Sequence, residues 1–363
     1  MKKIFMMVYN DISTDARVMR AAQALCSRYE VYLYAVGRPE GLDVKSIPVK
    51  NCSSIGGKLN NLRFILGAVT NCLKIKPDIV YGHDIFSAIP LVILRLLNKK
   101  SKYVYDAHEL FIKHKEVKYP LLDRIQFFFE ARAVKTSDMV ICALRQRGEI
   151  MMKYHKLDKP PVEIKNISYL PDAEYKAFTD KFESFFKTES FKIIYAGGIL
   201  PGRRLDKLIK AVNELGKGYS LMIVGNGPDY ERIKHLAEET GNNNIIVTGS
   251  VPYRKLSAVL KNFNAGYLYY PTDNDNNLYC APNKIYEYAG VDLPIISNEN
   301  PTVMSMFNEY KIGVCNDNIT EAIKYVEQFR NDLLCNMEAF RNNNTLKGEE
   351  EKLAEAMELC ESL

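Results

Sequence analysis

The sequence predicts an α/β protein with two doubly wound domains, each a parallel sheet between helices. Three observations support this prediction. Short apolar runs alternate with helical patterns up to residue 142, the same rhythm restarts at residue 191, and 363 residues suffice for two domains of ordinary size. Strands that alternate with helices imply a parallel sheet covered on both faces.

The first domain is predicted to span residues 1–170. Its strands are short apolar runs, and its helices repeat apolar residues every three or four positions. The strands are predicted at 4–9, 31–35, 79–82, 103–105 and 139–142, and the helices at 16–28, 59–74, 85–98 and 121–136.

An irregular stretch rich in aromatic and charged residues, 171–190, is predicted to be the interdomain linker. The second domain is predicted to span 191–344, and the tail 319–363 is polar and helical. The strands are predicted at 191–196, 220–224, 245–248, 265–270, 294–297 and near 313–314, and the helices at 204–215, 228–240, 253–261 and 283–290.

Charge is distributed unevenly along the chain. Residues 1–170 carry 28 basic and 16 acidic side chains, a net +12, whereas the remainder carries 21 and 28, a net −7. The basic half predicts an anionic partner surface. Because the chain has no Trp, no glycine-rich RNA signature and no helix-turn-helix pattern, a lipid headgroup or lipid diphosphate is favoured over nucleic acid.

The sequence predicts a cytoplasmic protein. The apolar run at the N-terminus stops at Asn10, too early for the core of a signal peptide, and no run approaches the ~18 apolar residues of a membrane span. The eight Cys include no C-x-x-C pair and no His partner at zinc spacing. We therefore predict neither a metal nor an organic cofactor.

The segment 281–296 reads Ala-Pro-Asn-Lys-Ile-Tyr-Glu-Tyr-Ala-Gly-Val-Asp-Leu-Pro-Ile-Ile. Pro282 suits the first turn of a helix, and Gly290 suits its end. The free amides of the first turn, together with Lys284, can bind phosphate, and the carboxylate of Glu287 can accept two hydrogen bonds from a ribose. We expect Glu287 to be exposed. The segment predicts a nucleotide site.

This segment resembles the donor-site signature of the glycosyltransferases of family 4 (glycosyl transferases group 1), which are retaining enzymes of GT-B fold. That signature consists of two Glu with seven residues between them, the second being the Glu of Pro-Asn-Lys-apolar-aromatic-Glu-Tyr. Here Glu287 is the second Glu, and Tyr279 stands in place of the first, which in the family touches the transferred sugar. The resemblance implies two Rossmann-like domains facing a central cleft, with the C-terminal helix, about 345–363, packed back on the first domain.

Glycine loops that resemble those of the family precede the motif. The basic residue after the first loop holds the donor diphosphate in the family, and here it is Arg203; Arg204, where many relatives have Gly, either joins the diphosphate or points to solvent. Two further loops flank the nucleobase. The resemblance implies a donor site made of Gly197, Gly198, Arg203, Gly225, Gly249, Val251, Tyr279, Pro282, Asn283, Lys284 and Glu287.

The segment Tyr-Asp-Ala-His-Glu at 105–109 resembles the acceptor-side loop of the family, in which the His lies beside the transferred sugar. A neutral imidazole can donate a hydrogen bond to a sugar hydroxyl. Other polar residues follow the predicted first and third strands. The acceptor-side candidates are Asn10, Asp11, His83, Asp106 and His108.

The sequence therefore predicts a retaining, metal-independent hexosyltransferase. It would move a hexosyl unit from a UDP- or GDP-sugar to a lipid- or glycan-linked acceptor in cell-envelope polysaccharide biosynthesis, in the cytoplasm or at the inner face of the membrane. By resemblance, the leaving diphosphate takes the acceptor's proton. The catalytic candidates are His108, Arg203 and Glu287.

Two alternatives are carried forward. A nucleotide-sugar 2-epimerase has the same architecture and would need acid and base carboxylates such as Asp106 and Glu109, although the Pro-Asn-Lys motif argues against it. A catalytically silent nucleotide-sugar-binding partner is admissible because Tyr279 replaces a carboxylate.

Overall fold

The computed structural model describes residues 1–13, 15–39, 43–49, 57–114 and 116–362. The chain divides into two compact units. The first unit comprises Met1–Asn166 together with Leu346–Leu363, and the second comprises Ile167–Thr345.

In the described residues, the first unit contains a parallel sheet of seven strands: β1 (Lys3–Asp11), β2 (Glu30–Val36), β3 (Lys45–Pro48), β4 (Ile79–His83), β5 (Lys102–Ala107), β6 (Met139–Cys142) and β7 (Val162–Glu163). Their order across the sheet is β3-β2-β1-β4-β5-β6-β7. Ile4 of β1 pairs with Val31 on one side and with Ile79 on the other. The strand order reverses between β1 and β4, which is where ligands bind in sheets of this kind.

The helices of the first unit are α1 (Ala16–Cys26), α2 (Lys58–Ile75), α3 (Asp84–Leu97), α4 (Leu121–Thr136), α5 (Arg145–His155) and the C-terminal helix Leu346–Ser362. The side chain of Asp15 caps α1 by accepting from the amide of Val18 at 3.2 Å. Apolar residues of α1 and of the C-terminal helix share one buried cluster with β1 and β2.

The second unit repeats this architecture with β8 (Phe191–Ala196), β9 (Tyr219–Val224), β10 (Ile245–Thr248), β11 (Ala265–Tyr267), β12 (Ile295–Ser297) and β13 (Gly313–Cys315). The order is β10-β9-β8-β11-β12-β13, so the reversal falls between β8 and β11. The predicted strand at 265–270 is shorter than expected. The side chain of Asn298 binds both the amide and the carbonyl of Tyr270, at 3.0 and 2.9 Å, in place of a neighbouring strand.

The helices of the second unit are α6 (Lys176–Lys181), α7 (Glu183–Phe186), α8 (Leu205–Leu215), α9 (Tyr230–Glu239), α10 (Leu256–Leu260), α11 (Asp275–Leu278), α12 (Asn283–Ala289), α13 (Pro301–Tyr310), α14 (Ile319–Cys335) and α15 (Met337–Asn343). A 3₁₀ turn, Tyr253–Lys255, precedes α10. Residues 171–190, which we expected to be a linker, belong to this unit and include α6 and α7. The physical reason is burial, since Phe178 and Phe185 are 6% and 3% exposed.

The predicted fold class, two doubly wound α/β domains, is confirmed by these two sheets. Within the described residues, no helix combines the length and the apolar composition needed to cross a bilayer.

Candidate functional site

Three predicted acceptor-side residues meet at the carboxyl edge of the first sheet. His83 ends β4, Asp106 lies near the end of β5, and His108 follows β5. Nδ1 of His83 lies 3.4 Å from Oδ2 of Asp106 and 3.3 Å from Nε2 of His108. His83 is fully buried and Asp106 is 2% exposed, so this cluster lies within the packed interior.

Asp106 is held by an ion pair that sequence reasoning missed. Arg17 of α1 donates from Nη2 to Oδ1 at 2.7 Å and from Nε to Oδ2 at 3.2 Å, and Tyr81 donates to Oδ2 at 3.1 Å. Burial opposes ionisation of Asp106, but the Arg17 guanidinium and the hydrogen bond from His83 outweigh it and hold the pKa of Asp106 well below its usual range. The sequence contains one signal of this ion pair. Arg17 lies in the first turn of α1, where the helix dipole disfavours a cation, so an anion from elsewhere in the chain is expected beside it.

His108 is a neutral imidazole at pH 7. Burial lowers its pKa to about 4, despite the opposing charge of Asp106. Arg147 of α5 donates from Nη1 to the carbonyl of His108 at 2.8 Å and so holds the loop after β5. A neutral ring in this position can offer either a hydrogen bond donor or a lone pair, depending on its tautomer.

The other two acceptor-side candidates are bonded within their own turn. Asn10 donates to Asp15 at 3.0 Å and accepts from the amide of Asp11 at 2.9 Å. Asp11 accepts from the hydroxyl and the amide of Ser13, at 2.8 and 3.0 Å, and these bonds lower its pKa. Both residues stabilise the entry to α1 in the structure.

The residue that follows His83 is a further polar group at the same edge. Asp84, the first residue of α3, has a φ of 62°, a conformation that costs a non-glycine residue of the order of 1 kcal/mol or more. Its Oδ1 is buried and has no hydrogen-bond partner among the described residues. Burial raises the pKa of Asp84 to about 6.

The ligand atoms of His83, Asp106 and His108 lie within 4.8 Å of one another, a spacing that a metal ion could bridge. Both carboxylate oxygens of Asp106, however, already accept from the guanidinium of Arg17. The positive charge that a cation would bring to this cluster is supplied by Arg17.

The second unit has a cavity of ≈ 300 Å³ at the carboxyl ends of β8 and β11. This lies at its point of strand reversal, as in ligand sites of other doubly wound sheets. Fourteen residues line it: Tyr195, Ala196, Gly197, Gly198, Arg203, Tyr267, Leu268, Tyr269, Tyr270, Ala281, Asn283, Lys284, Glu287 and Tyr288.

Arg203 and Arg204 differ in where they lie. Arg203 lines the cavity, donates from Nη1 to the carbonyl of Tyr269 at 2.7 Å and stacks over the ring of Tyr270 at 5.1 Å. Arg204 is exposed, and it precedes α8 with a φ of 54°. Although it is exposed, the side chain of Arg204 hydrogen-bonds to Tyr269, which lines the cavity.

Lys284 and Glu287 form an ion pair of 2.6 Å on one face of α12. Glu287 is only 4% exposed, so the expectation of an exposed carboxylate was wrong. The cause is packing around the base of the cavity, where the hydroxyl of Tyr253 also approaches Oε1 of Glu287 at 3.5 Å. The carboxylate therefore has little freedom to move.

Two polar atoms in residues that line the cavity have no hydrogen-bond partner among the described residues. They are Oδ1 of Asn283 and the hydroxyl of Tyr267, and both are buried. Buried polar atoms without a partner are rare in folded proteins and call for an explanation, such as a ligand. The cavity thus combines two cations with two polar groups able to bind a further molecule.

Comparison with known proteins agrees with this geometry. The family model of the glycosyl transferases group 1 matches residues 177–345, and that of the glycosyltransferase family 4 matches residues 16–165. The chain belongs to the GT-B glycosyltransferases of the family 4 type. The predicted GT-B fold is confirmed.

Relatives of this glycosyltransferase are distant. The uncharacterized glycosyltransferase MJ1069 of Methanocaldococcus jannaschii is 26% identical over 209 residues, which are 53% of this chain and 51% of that protein. The alignment thus spans about half of the curated relative.

Two solved structures share the fold over nearly the whole length. The Anabaena protein Alr3699/HepE, in complex with UDP-glucose, superposes with a TM-score of 0.72 at 12% identity, covering 99% of this chain and 100% of that one. WaaG, a glycosyltransferase involved in lipopolysaccharide biosynthesis, superposes with a TM-score of 0.70 at 16% identity, covering 97% and 99%.

The glycine loops of this glycosyltransferase shape the cavity by close backbone approach. A Cβ on Gly225, whose φ is 151°, would lie 1.9 Å from the carbonyl oxygen of Gly197. The amide of Gly197 in turn donates to the carbonyl of Val224 at 2.9 Å. Because Gly225 has no side chain, the backbone at 224–225 can pack directly against the loop at 197–198.

Five predicted donor residues do not line the cavity, and Gly225, which packs behind the loop at 197–198, is one of them. The other four lie elsewhere. Pro282 precedes α12, Tyr279 directly follows α11, Gly249 is exposed and Val251 is half-buried. Conversely, the cavity is lined by five tyrosines that the sequence analysis did not identify as site residues. Three of them cluster at 267–270, at the end of a strand, and this cluster was the signal that could have indicated them. They are Tyr195, Tyr267, Tyr269, Tyr270 and Tyr288.

Proposed function

We propose that this glycosyltransferase transfers a hexosyl unit from a UDP- or GDP-sugar to a lipid- or glycan-linked hydroxyl in cell-envelope polysaccharide biosynthesis. The cavity of the second unit carries the proposal. Its volume of ≈ 300 Å³ is at the lower end of small-molecule sites, and it presents Arg203 and Lys284 to a ligand. A guanidinium and an ammonium together suit a diphosphate.

Relatives support a nucleotide-sugar donor and an envelope role. HepE was solved with UDP-glucose, and WaaG is involved in lipopolysaccharide biosynthesis. We extend both features to this chain as part of the proposal, with Glu287 as the group that binds the ribose.

We propose that transfer proceeds with retention and without a metal. The bond from the anomeric carbon to the diphosphate breaks, the acceptor oxygen bonds to that carbon on the same face, and the acceptor proton passes to a diphosphate oxygen. Arg203 and Lys284 stabilise the charge that develops on the diphosphate, and such stabilisation is commonly the largest contribution to catalysis. No enzyme nucleophile is needed.

The arrangement of the first unit argues against the 2-epimerase. Such an enzyme needs a carboxyl group that exchanges protons near neutral pH. Asp106 cannot do so, because Arg17 holds its pKa well below the usual range. Glu109 would then have to act alone.

Nucleotide binding is tested by thermal shift with UDP, GDP and ADP and with their sugars. A ligand at about 100 times its Kd should stabilise the folded protein by about 2.7 kcal/mol. Calorimetry on Glu287→Gln should then show weakened binding of that nucleotide, with Arg204→Ala as the matched control of unchanged affinity. Failure of every nucleotide to shift the transition would contradict the proposal.

Catalysis and stereochemistry are tested with the donor that binds. Incubation with lipid extracts or glycan acceptors should yield a product whose anomeric coupling in NMR matches that of the donor. Tight binding without turnover for any acceptor would favour the silent partner instead.

We also propose that the first unit acts at the inner face of an anionic membrane. The observation that favours this partner is the outer face of α4, where basic Arg124 and Arg132 are exposed beside large apolar side chains. Lipid headgroups attract the cations, and apolar side chains bind at the acyl boundary. The exposed apolar residues are Leu121, Leu122, Ile125 and Phe128.

Vesicle sedimentation tests this surface. Binding to vesicles with anionic lipid should weaken as salt rises, since exposed charges are screened over ~10 Å at 0.1 M. The double variant Leu121→Ser/Phe128→Ser should bind less, whereas Tyr325→Ser, at an exposed site of the second unit, should not change binding. Equal binding to neutral vesicles would contradict an electrostatic surface.

A further inference from the structure

The three-residue cluster at the carboxyl edge of the first sheet determines where His108 carries its proton. Nδ1 of His83 faces two groups at once, Oδ2 of Asp106 at 3.4 Å and Nε2 of His108 at 3.3 Å. Nε2 of His83 is buried and has no partner among the described residues. These distances constrain both imidazoles.

His83 carries its proton on Nδ1. Any form with a proton on Nε2 buries an N–H that has no acceptor, which costs free energy, whereas a bare Nε2 costs less. A bare Nδ1, in addition, would place a lone pair against the carboxylate of Asp106. With its proton on Nδ1, His83 donates to Nε2 of His108 at 3.3 Å and keeps the same N–H facing the carboxylate of Asp106, whose Oδ2 is 3.4 Å from Nδ1.

That proton excludes a second one on the facing nitrogen. If Nε2 of His108 also carried a proton, two N–H groups would oppose each other across 3.3 Å, and the carboxylate oxygen nearest to Nε2, Oδ2 of Asp106, is 3.8 Å away. A distance of 3.8 Å is too long for a hydrogen bond. The Nε2 of His108 is therefore the acceptor, and the proton lies on Nδ1.

We propose that His83 is a positioning residue that holds His108 as the Nδ1–H tautomer, so that His108 offers an N–H donor and no lone pair to a ligand. The Nδ1 of His108 forms no hydrogen bond within the described part of the first unit, and the side chain is 17% exposed. As a donor, His108 binds an oxygen of the sugar or of the acceptor; it does not act as a general base.

The tautomer stands on the structure alone, whereas its use in transfer rests on the proposed function. Both parts can be separated by experiment. The full chain, labelled with [15N]histidine, gives two-bond 1H–15N correlations that distinguish the two neutral tautomers. It has five His, and comparison with His108→Phe assigns the signal.

The wild-type spectrum at pH 7 should show His108 as the Nδ1–H tautomer. An Nε2–H pattern would overturn the proposal, and this measurement needs no substitution that could unfold the protein. It is also independent of whether the chain transfers sugar.

A matched pair of variants then tests the role of His83. In His83→Asn the amide nitrogen takes the place of Nδ1, whereas in His83→Gln it reaches the place of Nε2. We expect Asn to preserve the tautomer of His108. Gln should release His108 into a mixture of tautomers and lower kcat/KM by about 10-fold to 100-fold relative to the Asn variant, the range known for partners that orient metal-bound histidines. Equal tautomer fractions in the two variants would overturn the role of His83.

Discussion

The carboxyl edges of the two sheets occupy equivalent places in the same architecture, and each holds an ion pair, but only the second borders the cavity described above. At the first edge, Arg17 and His83 both contact Asp106, so the carboxylate is neutralised within the cluster, while Nε2 of His83 and Oδ1 of Asp84 are buried without a partner among the described residues. At the second edge, Asn283 and Tyr267 keep buried polar atoms that have no partner among the described residues.

The comparison shows that strand order determines where a site lies in each unit, whereas the side chains at that place determine which ligand it can bind. An edge that satisfies its charges internally can hold a neutral, oriented imidazole. An edge that leaves cations and polar atoms toward a cavity is suited to a charged ligand. Fold and chemistry are thus separable within a single chain.

The largest expected effect comes from removing the ion pair between Arg17 and Asp106 at the edge of the first sheet. Arg17→Met leaves the buried carboxylate of Asp106 without its counter-ion, so the free energy of unfolding should fall by about 3–5 kcal/mol. Denaturant unfolding measures it. The control Arg28→Met removes an exposed pair with Glu358 and should cost less than about 1 kcal/mol. Similar losses in the two variants would mean that the first edge is not held by its ion pair.

At the edge of the second sheet, substitution of Arg203 should change the rate of catalysis and not the stability of the fold. Arg203→Ala should lower kcat by about 100-fold, because charge on the leaving diphosphate grows in the transition state. Arg204→Ala should change kcat little, since that side chain is exposed. Steady-state kinetics and thermal unfolding of both variants check this, and the reverse order of kcat would assign the diphosphate to Arg204.

The first unit also contains Glu130, a buried carboxyl group that keeps its proton at neutral pH. Burial raises the pKa of Glu130 from 4.5 to about 8, while Tyr105 donates to it at 3.3 Å. The folded state therefore keeps a proton that the unfolded state loses above pH 4.5, and stability declines as the pH rises toward 8. Glu130→Gln removes this loss.

Between pH 5.5 and 7, Glu130→Gln should gain about 2 kcal/mol in unfolding free energy relative to wild type. Denaturant titrations at both pH values measure the gain, and the exposed Glu358→Gln should show none. His108 and His155, whose pKa values burial lowers to about 4, contribute the opposite slope to both proteins and cancel in the difference. A gain that does not depend on pH would contradict the neutral acid.

The smallest expected effect concerns Tyr279, which directly follows α11 and does not line the cavity. Tyr279→Phe removes one hydroxyl and should change the ratio of kcat/KM between two donors differing at one sugar hydroxyl by about threefold. Affinity for the bare nucleotide should stay the same. An unchanged ratio would make Tyr279 a packing residue.

Prediction from sequence succeeded best for buried strands and for local pairs. Strands β6, β8 and β10 have the bounds expected, because each is a mostly apolar run that begins directly after a polar residue, namely Asp138, Ser190 and Asn244. The edge strands β3 and β7 were missed, since Lys45–Pro48 and Val162–Glu163 lack such a run. Lys284 and Glu287 lie three residues apart on one helix, so their pairing follows from helical spacing.

The sequence by itself determined the α/β class, the repeat of the doubly wound unit and the position of the Pro-Asn-Lys motif, because periodicity and short motifs are local properties of a chain. Only the tertiary structure decided that Arg17 pairs with Asp106 across 89 residues, that Glu287 is buried, and that Arg203 lines the cavity while Arg204 does not. The physical reason is that burial and ion pairing depend on which distant segments pack together. Strand order brings those segments together, and it cannot be deduced from the residues of any one segment.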